Sequence, residues 1–88
     1  MTGFDTPARI LKILGHPLRL KIVAGLLQHP SCVKEIWECL VLPQAVVSQH
    51  LAILKKEGII EGQRRGVEMH YAVVDSLTKR VVYSMINI

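Results

Sequence analysis

The sequence predicts a mainly α-helical domain with one small β-hairpin, in the order α-α-α-α-β-β-α. Before Gly58, apolar residues recur at helical spacing in four short stretches; after it the spacing changes to two residues, and a last helical stretch follows. The 88 residues contain no repeat, low-complexity tract or Gly/Ser linker, so we expect a single domain over residues 1–88. Because 50% of the residues are apolar, a disordered chain is excluded.

The first two predicted helices lie on either side of Gly15-His16-Pro17. Thr6-Pro7 is typical of a helix start, with Thr as the N-cap and Pro at the first helical position. An apolar stripe follows it at Ile10, Leu11, Ile13 and Leu14. Pro17 predicts the start of the second helix, which has a wide apolar face and ends at His29-Pro30.

The third and fourth predicted helices are joined by a tight turn. The third begins at Ser31 or Cys32. Its apolar positions are Val33, Ile36, Trp37 and Leu40. The fourth begins at Pro43, whose missing N–H costs nothing in a first turn, and runs to Lys56 before Gly58 as the terminating residue.

Alternation with period two predicts a β-hairpin after Gly58, with a turn at Arg65-Gly66 and a second strand from Glu68 to Val73. Asp75 predicts the N-cap of a last helix. The apolar stripe of that helix consists of Leu77, Val81, Val82, Met85 and Ile86. The stripe is too close to the end of the chain to be covered by its own domain, so we expect it to be a partner surface.

A tight turn into a polar-faced helix, followed by a hairpin with a basic tip, is the layout of a winged helix-turn-helix. In the fourth helix Val47, Leu51 and Leu54 are expected to face inward. The outward positions are Gln44, Ala45, Ser48, Gln49, Ala52 and Lys55. Gln pairs with adenine, Ser with several base edges, Ala packs on the thymine methyl and Lys binds phosphate. This face therefore suits a DNA major groove.

The hairpin from Gln63 to Val67 is the predicted wing, with Arg64 and Arg65 beside Gly66. Either the polar helix face or the charged turn alone would be an ordinary solvated surface. Together they favour DNA, because a hairpin in this position can lie along the flanking backbone or minor groove. A net charge of +4, from 11 basic and 7 acidic residues, agrees with a polyanionic partner.

Composition also excludes other classes of protein. The sequence has no run near the ~20 apolar residues that span a bilayer, and Met1 to Asp5 lacks a signal-peptide layout, so we expect a cytoplasmic protein without a membrane partner. The four histidines occur singly, with no Ser, Cys or carboxylate placed beside them as a catalytic partner. We therefore expect neither an enzyme nor a cofactor.

Three groups of motifs occur in the order found in one known family. The first is ILGHPLRLKIV at Ile13 to Val23, and the second is PQAVVSQHLAIL at Pro43 to Leu54. The third combines Gly58-Ile59-Ile60, Arg64-Arg65-Gly66 and His70-Tyr71. From about Leu11 to Asp75 the sequence resembles the ArsR/SmtB family of bacterial winged-helix repressors.

The resemblance implies a homodimer paired through the first and last helices, which binds an inverted-repeat operator in double-stranded DNA and leaves it when an inducer acts. The implied DNA-binding residues are Gln44, Ala45, Ser48, Gln49, His50, Lys55, Arg64 and Arg65. Arg19 matches a family arginine. A solvated or locally paired charge and a phosphate or structural contact are equally open for it.

Neither metal site of the family is retained. One site uses a Cys-Val-Cys-Asp/Glu run, and here Lys34 replaces the second thiolate in Cys32-Val33-Lys34-Glu35. The other site would keep only Asp75, for which a helix N-cap is a sufficient role. We therefore expect no metal.

Cys32 and Cys39 are the remaining candidate site. If both are helical, their spacing places them about 10 Å apart on one face, beyond the reach of an intrachain disulfide. They are either two small core residues or a thiol sensor.

A second function stays open beside the DNA-binding regulator. Winged helices also serve as protein-interaction adaptors that do not bind DNA. In that case the basic wing would be solvated surface, and DNA affinity that depends on salt would be absent.

Overall fold

The computed structural model describes residues 2–29, 31–32, 36, 38 and 40–86. The elements are a 3-10 turn at Thr2–Phe4, the N-terminal helix Asp5–Leu14, the second helix Pro17–Gln28, strand β1 Ser31–Cys32, the Gln44 helix Gln44–Lys56, strands β2 Ile60–Arg65 and β3 Glu68–Val73, and the last helix Ser76–Ile86. Ile36, Glu38 and Leu40 are also helical, where the third helix is predicted. The predicted fold class is thus confirmed.

The expected helix start at Ser31 or Cys32 is wrong, because both residues are in strand β1. Ser31 lies opposite Tyr71 and Cys32 opposite His70, in an antiparallel pair with β3. The sheet therefore has three strands in the order β1-β3-β2. A strand of two residues has no periodicity of its own, so only its pairing with β3 makes it visible.

Two helix starts also differ from expectation. The N-terminal helix begins at Asp5 after Phe4, so Thr6 is not its N-cap. Pro43 is the N-cap of the Gln44 helix rather than its first residue, and its carbonyl accepts a hydrogen bond from Val47 N at 3.2 Å. The start at Pro17 is confirmed: His16 is the N-cap, and its Nδ1 accepts from Leu18 N at 3.2 Å.

One hydrophobic core joins the helices to the base of the hairpin. Its most buried members are Ile22, Val23, Val47, Leu54, Ile59, Ile60 and Val82. Ile36 is buried and Leu40 packs against the core, as the third-helix pattern predicts, whereas Val33 and Trp37 lie outside the described residues. The core therefore fixes the Gln44 helix between the second helix and β2.

The ends of the Gln44 helix and the start of the last helix follow the predicted signals. Gly58 has a φ of 76°, which is the left-handed conformation that ends a helix, and Ile59 N donates to Leu54 O at 3.0 Å. Asp75 caps the last helix, because its Oδ2 accepts from Thr78 N at 2.8 Å and Thr78 Oγ1 at 2.7 Å. Both predictions are confirmed.

The apolar stripe of the last helix is partly covered by its own domain, contrary to expectation. Val82 is 1% exposed, and Leu77 and Ile86 pack against the core. Met85 remains 45% exposed, and neighbouring Tyr83 42%. The helix therefore has one face in the core and leaves a second apolar surface outside it.

Candidate nucleic-acid interface

The exposed face of the Gln44 helix is set by the side chains that the opposite face buries. Val47 and Leu54 are fully buried and Leu51 is 2% exposed. The predicted outward residues are all exposed: Gln44, Ala45, Ser48, Gln49, Ala52 and Lys55. At about 100° per residue, they span an arc of about 140° around the helix. Together they form a continuous surface of amide, hydroxyl, methyl and ammonium groups, which we call the polar face.

The N-terminal end of this helix adds a favourable site for anionic groups. Pro43 has an extended backbone, with φ −58° and ψ 139°, and its carbonyl accepts from Val46 N at 3.1 Å and from Val47 N. Proline has no side-chain acceptor for the N–H groups of Gln44 and Ala45. The partial positive charge of the helix start therefore lies beside the polar face.

The wing is the end of the β2–β3 hairpin. Gly66 has a φ of 63° and occupies the first position of the two-residue turn, where a positive φ favours glycine. Arg64 pairs with Met69 and Arg65 with Glu68. Because successive side chains of a strand point to opposite faces, the two exposed arginines point to opposite sides of the hairpin.

His50, which the sequence places beside the predicted base-reading residues, does not lie on the polar face, and its contact with DNA stays a prediction. It is half-buried and about 160° around the helix from Ser48. Its ring centroid is 4.5 Å from that of His16, and its Nδ1 accepts from Arg19 Nε at 3.4 Å. Burial, followed by the charges of His16 and Arg19, lowers the pKa of His50 below its ordinary value.

Arg19 makes structural contacts within the domain. Besides His50, it donates through a terminal guanidinium nitrogen to the carbonyl of Ile13 at 3.3 Å. Of the alternatives left open by the sequence, these contacts favour a structural role for Arg19. Sequence reasoning missed the pairing, because 31 residues separate Arg19 from His50 and no local pattern joins them.

The structure changes the premise of the cysteine prediction. Cys32 belongs to β1, so the spacing argument for two cysteines on one helix does not apply. Cys39 lies outside the described residues. The choice between core residues and a thiol sensor therefore stays a prediction.

Among the residues that the structure describes, no three His, Cys, Asp or Glu side chains are grouped so that they could hold a metal ion. In the same part of the chain, no helix combines the length and hydropathy needed to span a bilayer.

Comparison with known proteins identifies relatives of this chain. Residues 16–61 match the model of the family described as "Bacterial regulatory protein, arsR family". The chain is 38% identical over 78 residues to the HTH-type transcriptional repressor SmtB of Mycobacterium tuberculosis, covering 89% of this chain and 58% of the repressor. It therefore spans less than two thirds of that relative.

Solved structures share the whole fold. The transcriptional repressor PagR of Bacillus anthracis superposes with a TM-score of 0.87 at 32% identity, over 96% of this chain and 97% of PagR. A homodimeric winged helix-turn-helix DNA-binding domain from Mycobacterium bovis superposes with a TM-score of 0.84 at 26% identity, over 98% of this chain and 80% of that domain.

Proposed function

The chain belongs to the arsR family of bacterial regulatory proteins, and from this membership we propose that it is a homodimeric, sequence-specific DNA-binding repressor. The observation that carries the proposal is the polar face of the Gln44 helix. Buried side chains fix the orientation of the helix, so its amides and hydroxyl project from the same exposed side of the domain. Such a surface suits the donors and acceptors of a major groove.

The proposed contacts divide between the helix and the wing. Gln44, Ala45, Ser48 and Gln49 contact base edges, and Lys55 contacts a phosphate. Because the wing arginines point to opposite sides, one of them can face the DNA backbone while the other faces away. His50 is left out of the base-reading set and is considered separately below.

A homodimer completes the proposed site. Leu11 of the N-terminal helix is 49% exposed, and Tyr83 and Met85 of the last helix are also exposed, so both helices have apolar side chains outside the core. The M. bovis relative is described as homodimeric, which supports pairing through these helices. Two Gln44 helices about 34–36 Å apart would read successive major grooves of an inverted repeat. Release from this operator by an inducer, in the cytoplasm, is part of the proposal.

Selection of bound sequences from random duplexes tests this function. We expect a palindromic site, with half-sites about one helical turn apart, bound by a protein that elutes from gel filtration with the mass of a dimer. Affinity for the selected duplex should fall steeply between two salt concentrations and exceed affinity for random duplex by at least about 10³-fold.

The adaptor function predicts a different result from the same measurements. A dimer that enriches no sequence and shows no salt-dependent affinity for random duplex would refute the repressor and favour the adaptor. A monomer at micromolar concentration that still selects a palindrome would refute the proposed pairing alone.

A further inference from the structure

His16, Arg19 and His50 form a cluster behind the polar face of the Gln44 helix. His16 caps the second helix, Arg19 lies in the first turn of that helix, and His50 is in the middle of the Gln44 helix. The guanidinium group of Arg19 contacts both His50 Nδ1 and the carbonyl of Ile13. The cluster therefore joins three helices at one point.

The position of the cluster connects two parts of the proposed mechanism. Ile13 is in the last turn of the N-terminal helix, which the proposed dimer uses for pairing. His50 is on the helix that presents the polar face, on the side away from Ser48. Arg19 thus links the pairing helix to the DNA-facing helix without lying on the DNA-facing surface.

The contact with Arg19 fixes the protonation state of His50. An imidazole nitrogen accepts a hydrogen bond only when it carries no proton, so Nδ1 is bare and the proton of the neutral ring is on Nε2. A second proton on Nδ1 would remove the acceptor and place a cation against Arg19 and beside His16. Among the described residues, Arg19 and His16 are the ionisable groups whose charges lower the pKa of His50.

We propose that Arg19 and His50 are positioning residues for DNA binding, and that the Gln44 helix is held in its binding orientation by the neutral form of His50. The inference rests on the proposed function. Protonation of His50 breaks the link to Arg19 and weakens DNA binding. Protonation of an exposed histidine should instead raise DNA affinity, because an added cation strengthens binding to a polyanion.

The pH dependence of DNA affinity tests the proposal by its sign. The probe is the duplex selected above, titrated at constant ionic strength from pH 8 to pH 5.5. We expect wild-type affinity to fall as pH falls below the ordinary histidine range. Binding requires a neutral His50 in both protomers. When half of the His50 side chains are protonated, only about a quarter of the dimers meet this requirement, so affinity falls about fourfold.

Two variants compare His50 with His70. His50→Asn retains an uncharged acceptor near the position of Nδ1, so its affinity should change by less than about twofold over this range. His70→Asn removes a half-buried histidine of β3, opposite Gln63, and should retain a loss at least as large as that of wild type. The proposal is overturned if wild-type affinity is constant or rises toward pH 5.5, or if His50→Asn follows wild type. Absence of binding at pH 8 instead refutes the proposed function, and this role with it.

Arg19→Ala distinguishes positioning from a phosphate contact. Loss of a positioning residue lowers affinity for the selected duplex more than for random duplex and leaves the salt slope unchanged. Loss of a phosphate contact weakens both equally and reduces the slope by about one per protomer, which would overturn the assignment. A denaturation curve at the same protein concentration establishes that the variant is folded.

The free protein gives a readout that is independent of DNA. Nitrogen-15 NMR should show the His50 proton on Nε2 at neutral pH, and this tautomer preference should be lost in Arg19→Ala. Because the pKa of His50 is lowered in the folded state, stability should decrease as pH falls below the ordinary histidine value of 6.5. A proton found on Nδ1 would overturn the proposal.

Discussion

The Gln44 helix is held to the core along its length, whereas the wing is held at its base. Val47, Leu51 and Leu54 anchor successive turns of the helix, each at most 2% exposed. At the base of the β2–β3 hairpin Ile60 is buried opposite Val73, whereas Val67 at the turn is 97% exposed. Both regions present polar side chains, but the helix is anchored by buried residues along its length and the wing only at its base.

The two supports suit different kinds of contact with DNA. A bidentate hydrogen bond to a base edge needs a side chain held in a defined direction, which an anchored helix provides. An attraction between a guanidinium group and phosphates tolerates movement, because it depends weakly on direction. We therefore propose that the helix reads the DNA sequence and that the wing contributes affinity for any sequence.

Truncating a side chain should destabilise the protein far more in the Gln44 helix than at the wing turn. Leu54→Ala removes a fully buried anchor of the helix and should lower the free energy of unfolding by about 2–5 kcal/mol. Val67→Ala at the wing turn should change it by less than about 0.5 kcal/mol, because that side chain is exposed. Urea denaturation at one protein concentration measures both. Similar losses in the two variants would contradict the difference in support.

Substitutions in the helix and in the wing should change DNA affinity in different ways. Gln44→Ala and Gln49→Ala should each cost about 1–3 kcal/mol of binding to the selected duplex and little on random duplex. Arg65→Ala should weaken binding to both duplexes and reduce the salt slope by about one per protomer if Arg65 is the arginine that faces the backbone. Arg64→Ala, on the opposite side of the hairpin, is the matched variant.

Equal losses of affinity on selected and random duplexes in the glutamine variants would contradict base reading by the helix. Such a result would mean that the helix, like the wing, contributes affinity without discriminating between sequences. If Arg64→Ala rather than Arg65→Ala reduced the slope, the orientation of the hairpin would be reversed, but the roles of helix and wing would stand.

Substitutions in two turns, the one before the Gln44 helix and the one at the end of the hairpin, should change stability only slightly. Both contain a left-handed residue, but Val41 has a φ of 55° in the turn before Pro43, where the hairpin uses Gly66. A β-branched residue is strained in this conformation, so Val41→Gly should raise the free energy of unfolding by up to about 1 kcal/mol. The gain is limited because glycine also makes the unfolded chain more flexible.

Gly66→Ala is the control, and it should destabilise by a similar amount because it introduces strain at the wing turn. The Cβ of this alanine would contact no other group within 4 Å, so the loss would report backbone conformation alone. A destabilised Val41→Gly would show that packing or the unfolded state outweighs strain in the helix-turn-helix.

Much of the fold and of the polar face could be predicted from local sequence signals. Helical periodicity identified the Gln44 helix and its three anchors, and with them the exposure of Gln44, Ser48 and Gln49. Capping chemistry identified Asp75 and Gly58, because a carboxylate that accepts two hydrogen bonds and a residue with positive φ are local requirements. Such features depend on neighbours within one or two turns of a helix, so the sequence alone contains them.

Tertiary structure decided the features that depend on distant residues. Ser31 and Cys32 are extended because β3 offers hydrogen-bond partners, and Val82 is buried because the last helix packs against the second. His50 has the same local surroundings in the sequence as the residues proposed to read bases. Its contacts with Arg19 and His16 come from distant parts of the sequence. Contacts between residues that are far apart in sequence leave no periodic signal, so only the folded chain reveals that Arg19 joins His50 of the Gln44 helix to Ile13 of the N-terminal helix.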